Sequence, residues 1–533
     1  MSARLLSRPL PLACLIAAIT AVGGFVAAPA QAQSPPAPEQ IERAIGQIDG
    51  MAAQLMQRTG IPGMAVAVVQ GNRLVYAKGF GVRAAGSPQP VDADTVFQLA
   101  SMSKPIGATV VAQQVGAGKV TWETPARKHL PGFTLGNAYS SENVTIGDLY
   151  SHRSGLPDHA GDTLEELGYS QQDILRSFSQ LPLTSFRASY AYTNYGMTGA
   201  AMAVAAAAGT DWASLSEQVL YKPLGMASTS SRFADFQARP NRAVGHVKEN
   251  GVFVIGPERG YIPGRQNWST GFNTDRQQPS GGVSSSARDV ARWMSFVLSG
   301  GAGPDGQLVP AAALMPALTP KAITREASAP GQRPIHYGYG FSVDTTETGR
   351  TVLSHNGAFS WGASTNFAVM PSANVGIVVL TNAWPTGIAE ALVANFNDMV
   401  QFGAARQDWF DVYAPVFATV FKPQGELAGK PRPAQPAPPQ PLQAYTGTWR
   451  NDYHGPLQVV RTAQGALELR IGAAPQLVFP LQHWDGDTFT FVPLNDSAPP
   501  DSLSKASFSG NRLTLEHYNQ QGLGTFTRVA AQP

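Results

Sequence analysis

The sequence predicts an α+β protein: an antiparallel sheet flanked by helices, an all-helical insertion within the sheet, and a small antiparallel β-barrel at the C-terminal end. Three observations carry that expectation. A helical apolar period runs straight into a hairpin near the N-terminus, and β-rich runs return only after a long helical stretch. Short alternating strands then follow a proline-rich segment. At 533 residues the chain is too long for one core and calls for two or three domains. With 43% hydrophobic and 14% charged residues it has the composition of a folded protein, not a disordered one.

The first 32 residues read as a removable export signal. Arg4 and Arg8 form a short basic region, Leu10 to Ala28 is apolar, and Ala30-Gln31-Ala32 offers a small-residue cleavage site. The alternative for this stretch is an uncleaved membrane anchor; no other stretch is long and apolar enough to span a bilayer. The expected location is periplasmic or secreted. Of 38 basic and 36 acidic residues, removal of Arg4 and Arg8 leaves 36 against 36. A near-neutral mature chain argues against a nucleic-acid partner. The single cysteine, Cys14, lies inside the signal, so the mature chain is expected to have no disulfide, cysteine nucleophile or thiolate metal site.

From Glu39, apolar residues recur at Ile41, Ile45, Ile48, Met51, Ala52, Leu55 and Met56, a helical period that Thr59-Gly60-Ile61-Pro62-Gly63 ends. Two β-rich runs flank Gly71-Asn72, which reads as a hairpin turn. Helical patterns dominate from about 120 to 300. β-Character returns across 337–346, 350–357, 364–371 and 374–382, and a helical pattern over 387–402 closes the region. The stretch Pro423 to Pro441 reads as an extended, semi-rigid linker. Beyond it, 455–461, 466–472, 487–493 and 511–518 alternate as strands of a small barrel or sandwich.

Chemistry is suggested first by Ser101 and Lys104. If a helix starts at Ser101, the two share a face, and Pro105 falls in the first turn, where proline is tolerated. The N–H groups and dipole of that helix end suit an oxyanion. Ser-x-x-Lys alone is a weak pattern. Tyr192-Thr193-Asn194 before a small-residue helix, and His355-Asn356-Gly357 at the end of a strand, add to it.

Together these residues resemble the serine β-lactamase and penicillin-binding-protein superfamily, within it the class C branch that also holds esterases and D-amino-acid peptidases. The likeness covers about residues 38–405 and includes 149–158 and 279–293. From about 442 the chain resembles the lipocalin-like domain that accompanies some of these hydrolases. The resemblance implies a fold of the DD-peptidase/β-lactamase type and this division: signal 1–32, hydrolase domain 38–405, connecting segment 406–441 with the linker, barrel domain 442–533.

The resemblance also implies roles. Ser101 is the acylated nucleophile, and either Lys104 or Tyr192 is its base, or Tyr192 relays the proton toward Lys104. Asn194 orients Lys104 and a substrate amide. The oxyanion hole is made by the N–H groups of Ser101 and Ala358, and Gly357 lets substrate approach the strand closely. His355, where relatives with a Lys-Thr-Gly motif carry a lysine and others a histidine, is expected to be only partly charged at pH 7 and to hold a carboxylate poorly. That favours a peptidase or amidase acting on small or unusual peptides, D-residue-containing or linearised cyclic. A carboxylesterase, a class C-like β-lactamase and a non-catalytic penicillin-binding sensor are the alternatives. Substrates are small peptides, amides or esters. No cofactor or metal is implied.

Other residues invite blander readings. His152 and His159 read as structural or rim residues, and Asp289 with Arg292 as an ion pair. Residues 483–489 read as turn chemistry, not a metal cluster. Trp361 is a candidate for the pocket wall. The barrel is expected to be filled, or else to cap the cleft.

Overall fold

The computed structural model describes residues 35–255, 273–493, 498–499 and 501–530. The expected export signal over 1–32, with Cys14, lies outside the described residues. Among the described residues, no helix is long and apolar enough to cross a membrane.

The N-terminal helical period divides into α1 (Pro38–Gly46) and α2 (Ile48–Thr59), with the break at Gln47. Gly60 ends α2 in the left-handed conformation (φ 74°), its N–H returning to the Met56 carbonyl. The hairpin follows as β1 (Gly63–Gln70) and β2 (Arg73–Gly81), and both turn residues, Gly71 and Asn72, have positive φ. The insertion carries α3 (Ser103–Gly116), α4 (Asp162–Glu166), α5 (Gln171–Ser177), α6 (Asn194–Ala208) and α7 (Ala287–Leu298). The sheet resumes with β3 (Ala322–Arg325), β4 (Ile335–Tyr337), β5 (Ser342–Thr345), β6 (Thr351–Phe359), β7 (Ala363–Met370) and β8 (Val375–Thr381). It is antiparallel throughout, in the order β2-β1-β8-β7-β6-β5-β4-β3.

Both faces of the central strands are covered, which is why β1, β7 and β8 read as continuous apolar runs. Alternate residues serve two cores. Ala65, Ala67, Val69, Phe367, Val369, Val378 and Leu380 face the insertion. Met64, Val66, Val68, Ala368, Met370, Ile377 and Val379 face α1, α2 and two later helices, α8 (Ile388–Phe402) and α9 (Trp409–Val420). The nucleophile candidate sits where the insertion rejoins this sheet.

The C-terminal strands form a closed barrel: β9 (Gly447–Asn451), β10 (Gly455–Arg461), β11 (Leu467–Ile471), β12 (Leu477–Asp485), β13 (Thr488–Phe491), β14 (Ser504–Ser509), β15 (Arg512–Leu515) and β16 (Thr525–Arg528). Closure pairs Trp449 of β9 with Arg528 of β16 and removes the free edges. Its interior is occupied by side chains, among them Trp449, Leu469, Phe479, Phe489, Phe508 and Phe526. Residues 483–489 form the β12–β13 turn, where the His483 ring meets the Gly486 carbonyl.

The segment 406–441 is more than a connection. It contains α9, whose Tyr413 and Phe417 are buried in the second core. The proline-rich stretch lies along the barrel, and several of its N–H and C=O groups are tied to it. Leu503 N–H donates to the Gln424 carbonyl (2.9 Å), Ala437 N–H to Asp485 (2.6 Å) and Gly486 N–H to the Ala437 carbonyl (2.9 Å). The barrel in turn docks on the insertion. Tyr169 Oη donates to the His454 carbonyl (2.8 Å), Ala473 N–H to the Leu167 carbonyl (2.9 Å) and Gln521 to the Asp158 carbonyl (3.2 Å). One apolar cluster runs unbroken from the insertion through Leu164, Leu167 and Tyr453 into the barrel.

Candidate active site

Ser101 lies in a 3-10 turn, Ala100–Met102, and the α-helix begins at Ser103, two residues later than the spacing predicts. Lys104 and Pro105 still occupy its first turn. Ala100, immediately before the serine, has φ 48°. A non-glycine residue there costs on the order of 1 kcal/mol and needs its surroundings to hold it. They do: Ser103 Oγ donates to the Ala100 carbonyl (2.6 Å) and accepts from Val283 N–H (2.9 Å), and Thr365 Oγ1 donates to the Leu99 carbonyl (2.8 Å). The turn is thus pinned between the insertion and β7.

Lys104 is fully buried. Its Nζ lies 3.1 Å from Ser101 Oγ, 2.8 Å from Asn194 Oδ1 and 2.9 Å from the Ser280 carbonyl. Burial pushes its pKa down from 10.5 to about 7, opposed by the charge of Asp162. Near neutral pH much of the amine is therefore unprotonated, with a lone pair that can take the serine proton. Tyr192 Oη lies 2.8 Å from the same Ser101 Oγ, and Lys104 Nζ is 4.6 Å from the tyrosine ring centre. Two segments far apart in sequence, 101–104 and the one carrying Tyr192, thus meet on one hydroxyl.

Tyr192 and Asn194 are held from behind. Tyr192 N–H donates to Asp158 (2.7 Å), and its carbonyl accepts from His159 N–H (2.8 Å). Asn194 Nδ2 donates to Asp162 Oδ2 (3.0 Å), which also meets His159 Nδ1 (2.7 Å). His152 is buried and its pKa lies well below the ordinary value, through burial first and the Lys104 charge second. Its Nδ1 accepts from Thr193 N–H (3.1 Å), and its ring packs 4.6 Å from that of Tyr192. That is a structural role, as expected. Asp289 and Arg292 form the expected ion pair, with the aspartate buried.

His355 departs from expectation. Burial, then the Lys104 charge, lowers its pKa to about 3, so it carries no positive charge at pH 7. Its Nδ1 is bonded to the Asn356 carbonyl (2.6 Å), which can only accept, so the proton sits on Nδ1. Nε2 then accepts from buried Tyr337 Oη (2.8 Å). Gly357 makes room for the chain itself. A Cβ there would fall 2.2 Å from the Leu99 carbonyl oxygen and 2.9 Å from Ser101 N, so β6 can lie against the Ser101 turn only with glycine. Ala358, half-buried, follows it on β6 opposite Ser364. Trp361, with Phe359, Phe97 and Phe236, lines a cavity whose walls include none of Ser101, Lys104 and Tyr192.

The sequence reading missed three contributors. Ser280 acts through its carbonyl, which leaves no side-chain signature, although the stretch 279–293 was conspicuous. Asp158 and Asp162 sit just beyond the Ser-His-Arg-Ser-Gly loop, where polar residues look like ordinary loop residues.

A family model described as Beta-lactamase matches residues 48–395. The chain belongs to that family. It is a hydrolase of the serine type that the family comprises, and a second model, described as a domain of unknown function (DUF3471), matches 431–510. The chain is similar to the unguisins hydrolase ungD of Aspergillus violaceofuscus, 26% identical over 81% of this chain and 80% of that protein. It is also similar to esterase EstB of Burkholderia gladioli, 26% identical over 66% of this chain and 94% of that one. The octameric penicillin-binding protein homologue of Pyrococcus abyssi shares the fold: TM-score 0.57, 17% identity, 89% of this chain and 98% of that chain.

Proposed function

We propose that this family member is an exported hydrolase, with a catalytic domain over 38–405 and a barrel domain over 442–533, that forms an acyl-enzyme at Ser101. The observation that carries this reading is the shared contact of Lys104 Nζ and Tyr192 Oη with Ser101 Oγ, with the amine near its titration midpoint at neutral pH. Lys104 takes the proton as Ser101 attacks a carbonyl carbon. The oxyanion forms against the N–H groups of Ser101 and Ala358. The C–N or C–O bond then breaks, and the leaving group takes a proton through Tyr192. Water, deprotonated along the same route, attacks the acyl carbon and releases Ser101.

An amine leaving group must be protonated as it departs, and a hydroxyl beside the attacking oxygen is placed to do it. This supports amide substrates: small or unusual peptides, including D-residue-containing or linearised cyclic ones. A neutral His355 supplies no cation for a substrate carboxylate. The favoured peptides are therefore those whose carboxylate is remote or capped, and β-lactams rank below them. A carboxylesterase is the second reading, supported by the likeness to an enzyme named as an esterase.

A panel of L- and D-peptides with free or amidated C-termini, run beside p-nitrophenyl esters and nitrocefin, tests the assignment. Amidated peptides are expected to be cleaved at least as fast as their free acids. Faster cleavage of nitrocefin than of any peptide, or a tenfold preference for free acids, would overturn it.

A further inference from the structure

Asp162 opens α4, on the far side of Asn194 from the nucleophile. Its Oδ2 accepts from Asn194 Nδ2 at 3.0 Å, and Asn194 Oδ1 faces Lys104 Nζ at 2.8 Å. An asparagine amide can rotate by half a turn with little change in shape. Here the rotated form would set Nδ2 against the Lys104 N–H groups and Oδ1 against a carboxylate, two repulsive contacts. Asp162 therefore decides which end of the amide meets the lysine. His159 Nδ1 lies 2.7 Å from the same Oδ2, and because a carboxylate only accepts, the ring proton sits on Nδ1. Two further atoms of this pair, Asp162 Oδ1 and His159 Nε2, are buried without a hydrogen-bond partner among the described residues. Burying them has a cost that packing alone does not explain. The backbone around them is constrained as well: His159 has φ 58° and Gly161 φ 91°.

We propose that Asp162, with His159 behind it, is a positioning residue for the acylation: it fixes the Asn194 amide and places a negative charge beside Lys104, setting the pH at which Lys104 takes the Ser101 proton. This rests on the reading of Ser101 and Lys104 above.

The sign follows from the charge. A carboxylate near Lys104 favours the ammonium, and among the described residues it is the charge that raises the lysine pKa against burial. Neutralising it makes the free amine available at lower pH. His159 is itself held above its ordinary range, burial being outweighed by the bond to and charge of Asp162, so it offsets part of the carboxylate's charge; the other titratable groups facing the pair, among the described residues, do not reverse the sign. Glu165, a turn along α4, is raised to about 8 by burial and then by Asp162, so it is largely neutral at pH 7. Tyr195 of α6 is raised well above its ordinary range, and Tyr453 of the barrel is raised through burial; both stay protonated. His152 and, from β6, His355 are neutral. Asp158 is engaged by Tyr192 N–H, and Arg276 acts on Glu165 and Tyr195.

The test is the pH profile of kcat/KM for a p-nitrophenyl ester from pH 5 to 9, on the full-length protein, its Ser101→Ala form and three variants of Asp162. Asp162→Asn keeps an oxygen for Asn194 and loses the charge. Its acid limb is expected to move down by about one pH unit, as for loss of a nearby opposite charge. Asp162→Glu retains the charge and should leave the limb in place. Asp162→Ala loses both functions, and kcat should fall at least tenfold at every pH. An Asp162→Asn limb that superimposes on the wild type, or moves up, overturns the proposal even where Asp162→Ala is inactive or unfolded. A fluorophosphonate probe separates the two readings. Labelling that persists in Ser101→Ala sinks the acylation reading, and this inference with it. Labelling lost there beside an unmoved limb sinks the positioning role alone.

Discussion

Replacing Lys104 with methionine should make the protein inactive and, near neutral pH, more stable. The lysine sits fully buried with a pKa of about 7, against 10.5 for the free side chain. Between those two values the unfolded chain holds a proton that the folded chain does not, so wild-type stability rises with pH across the window. The variant has no group to titrate. Integrating the linkage relation, the lysine's ionisation costs the wild type about 4 kcal/mol at pH 7 and about 2 kcal/mol at pH 9, and the cost vanishes above the free-lysine pKa. A constant loss offsets part of this. Asn194 Oδ1 and the Ser280 carbonyl lose a donor in the variant, roughly 1–3 kcal/mol independent of pH. The slope is therefore the diagnostic quantity. Denaturant unfolding of both proteins from pH 6.5 to 9.5 should show the stability difference, variant minus wild type, shrinking by about 2 kcal/mol between pH 7 and pH 9. A difference flat in pH, or growing with it, would mean that Lys104 is a buried cation, and the base role would fail.

Tyr192→Phe removes the hydroxyl 2.8 Å from Ser101 Oγ and should slow acylation by about 10²–10⁴-fold, more for amides than for esters because only amide departure demands a proton; stopped-flow bursts with matched amide and ester substrates measure this, and equal losses for the two would argue against a proton relay through Tyr192. Gly472→Val places a Cβ 2.4 Å from the Leu167 carbonyl oxygen at a residue with φ 97°, so barrel and insertion should separate. Since Gln521 of the barrel holds the Asp158 carbonyl, kcat should fall and the 423–441 stretch should become open to proteolysis. Unchanged kcat and cleavage pattern would show that docking does not reach the site.

Much of the site was legible because its side chains fall in short, ordered patterns: Ser101 with Lys104, Tyr192 with Asn194, His355 with Gly357. Each lies beside an apolar or small-residue run that reads as a helix or strand. The hairpin at Gly71-Asn72 was readable because a two-residue turn with positive φ has few other sequences open to it. What escaped depended on tertiary partners. The charge of His355 is decided by burial and by Lys104, and its Nε2 partner Tyr337 lies eighteen residues upstream at the end of β4. The requirement for Gly357 comes from the Leu99 carbonyl, brought there by the fold. The 3-10 turn at Ser101 reflects anchoring by Val283 and Thr365, which no local propensity encodes. The proline-rich stretch has the composition of an extended, semi-rigid linker, and its partners on the barrel are not encoded in that composition.

The most direct measurement is peptide mapping by mass spectrometry after treatment with a slowly hydrolysed acylating ester or a fluorophosphonate. A single adduct on Ser101, lost in Ser101→Ala and strongly slowed in Lys104→Met, is expected. An adduct on neighbouring Ser103 or on Ser280, or none at all on a folded protein, would contradict the assignment of Ser101 as the nucleophile.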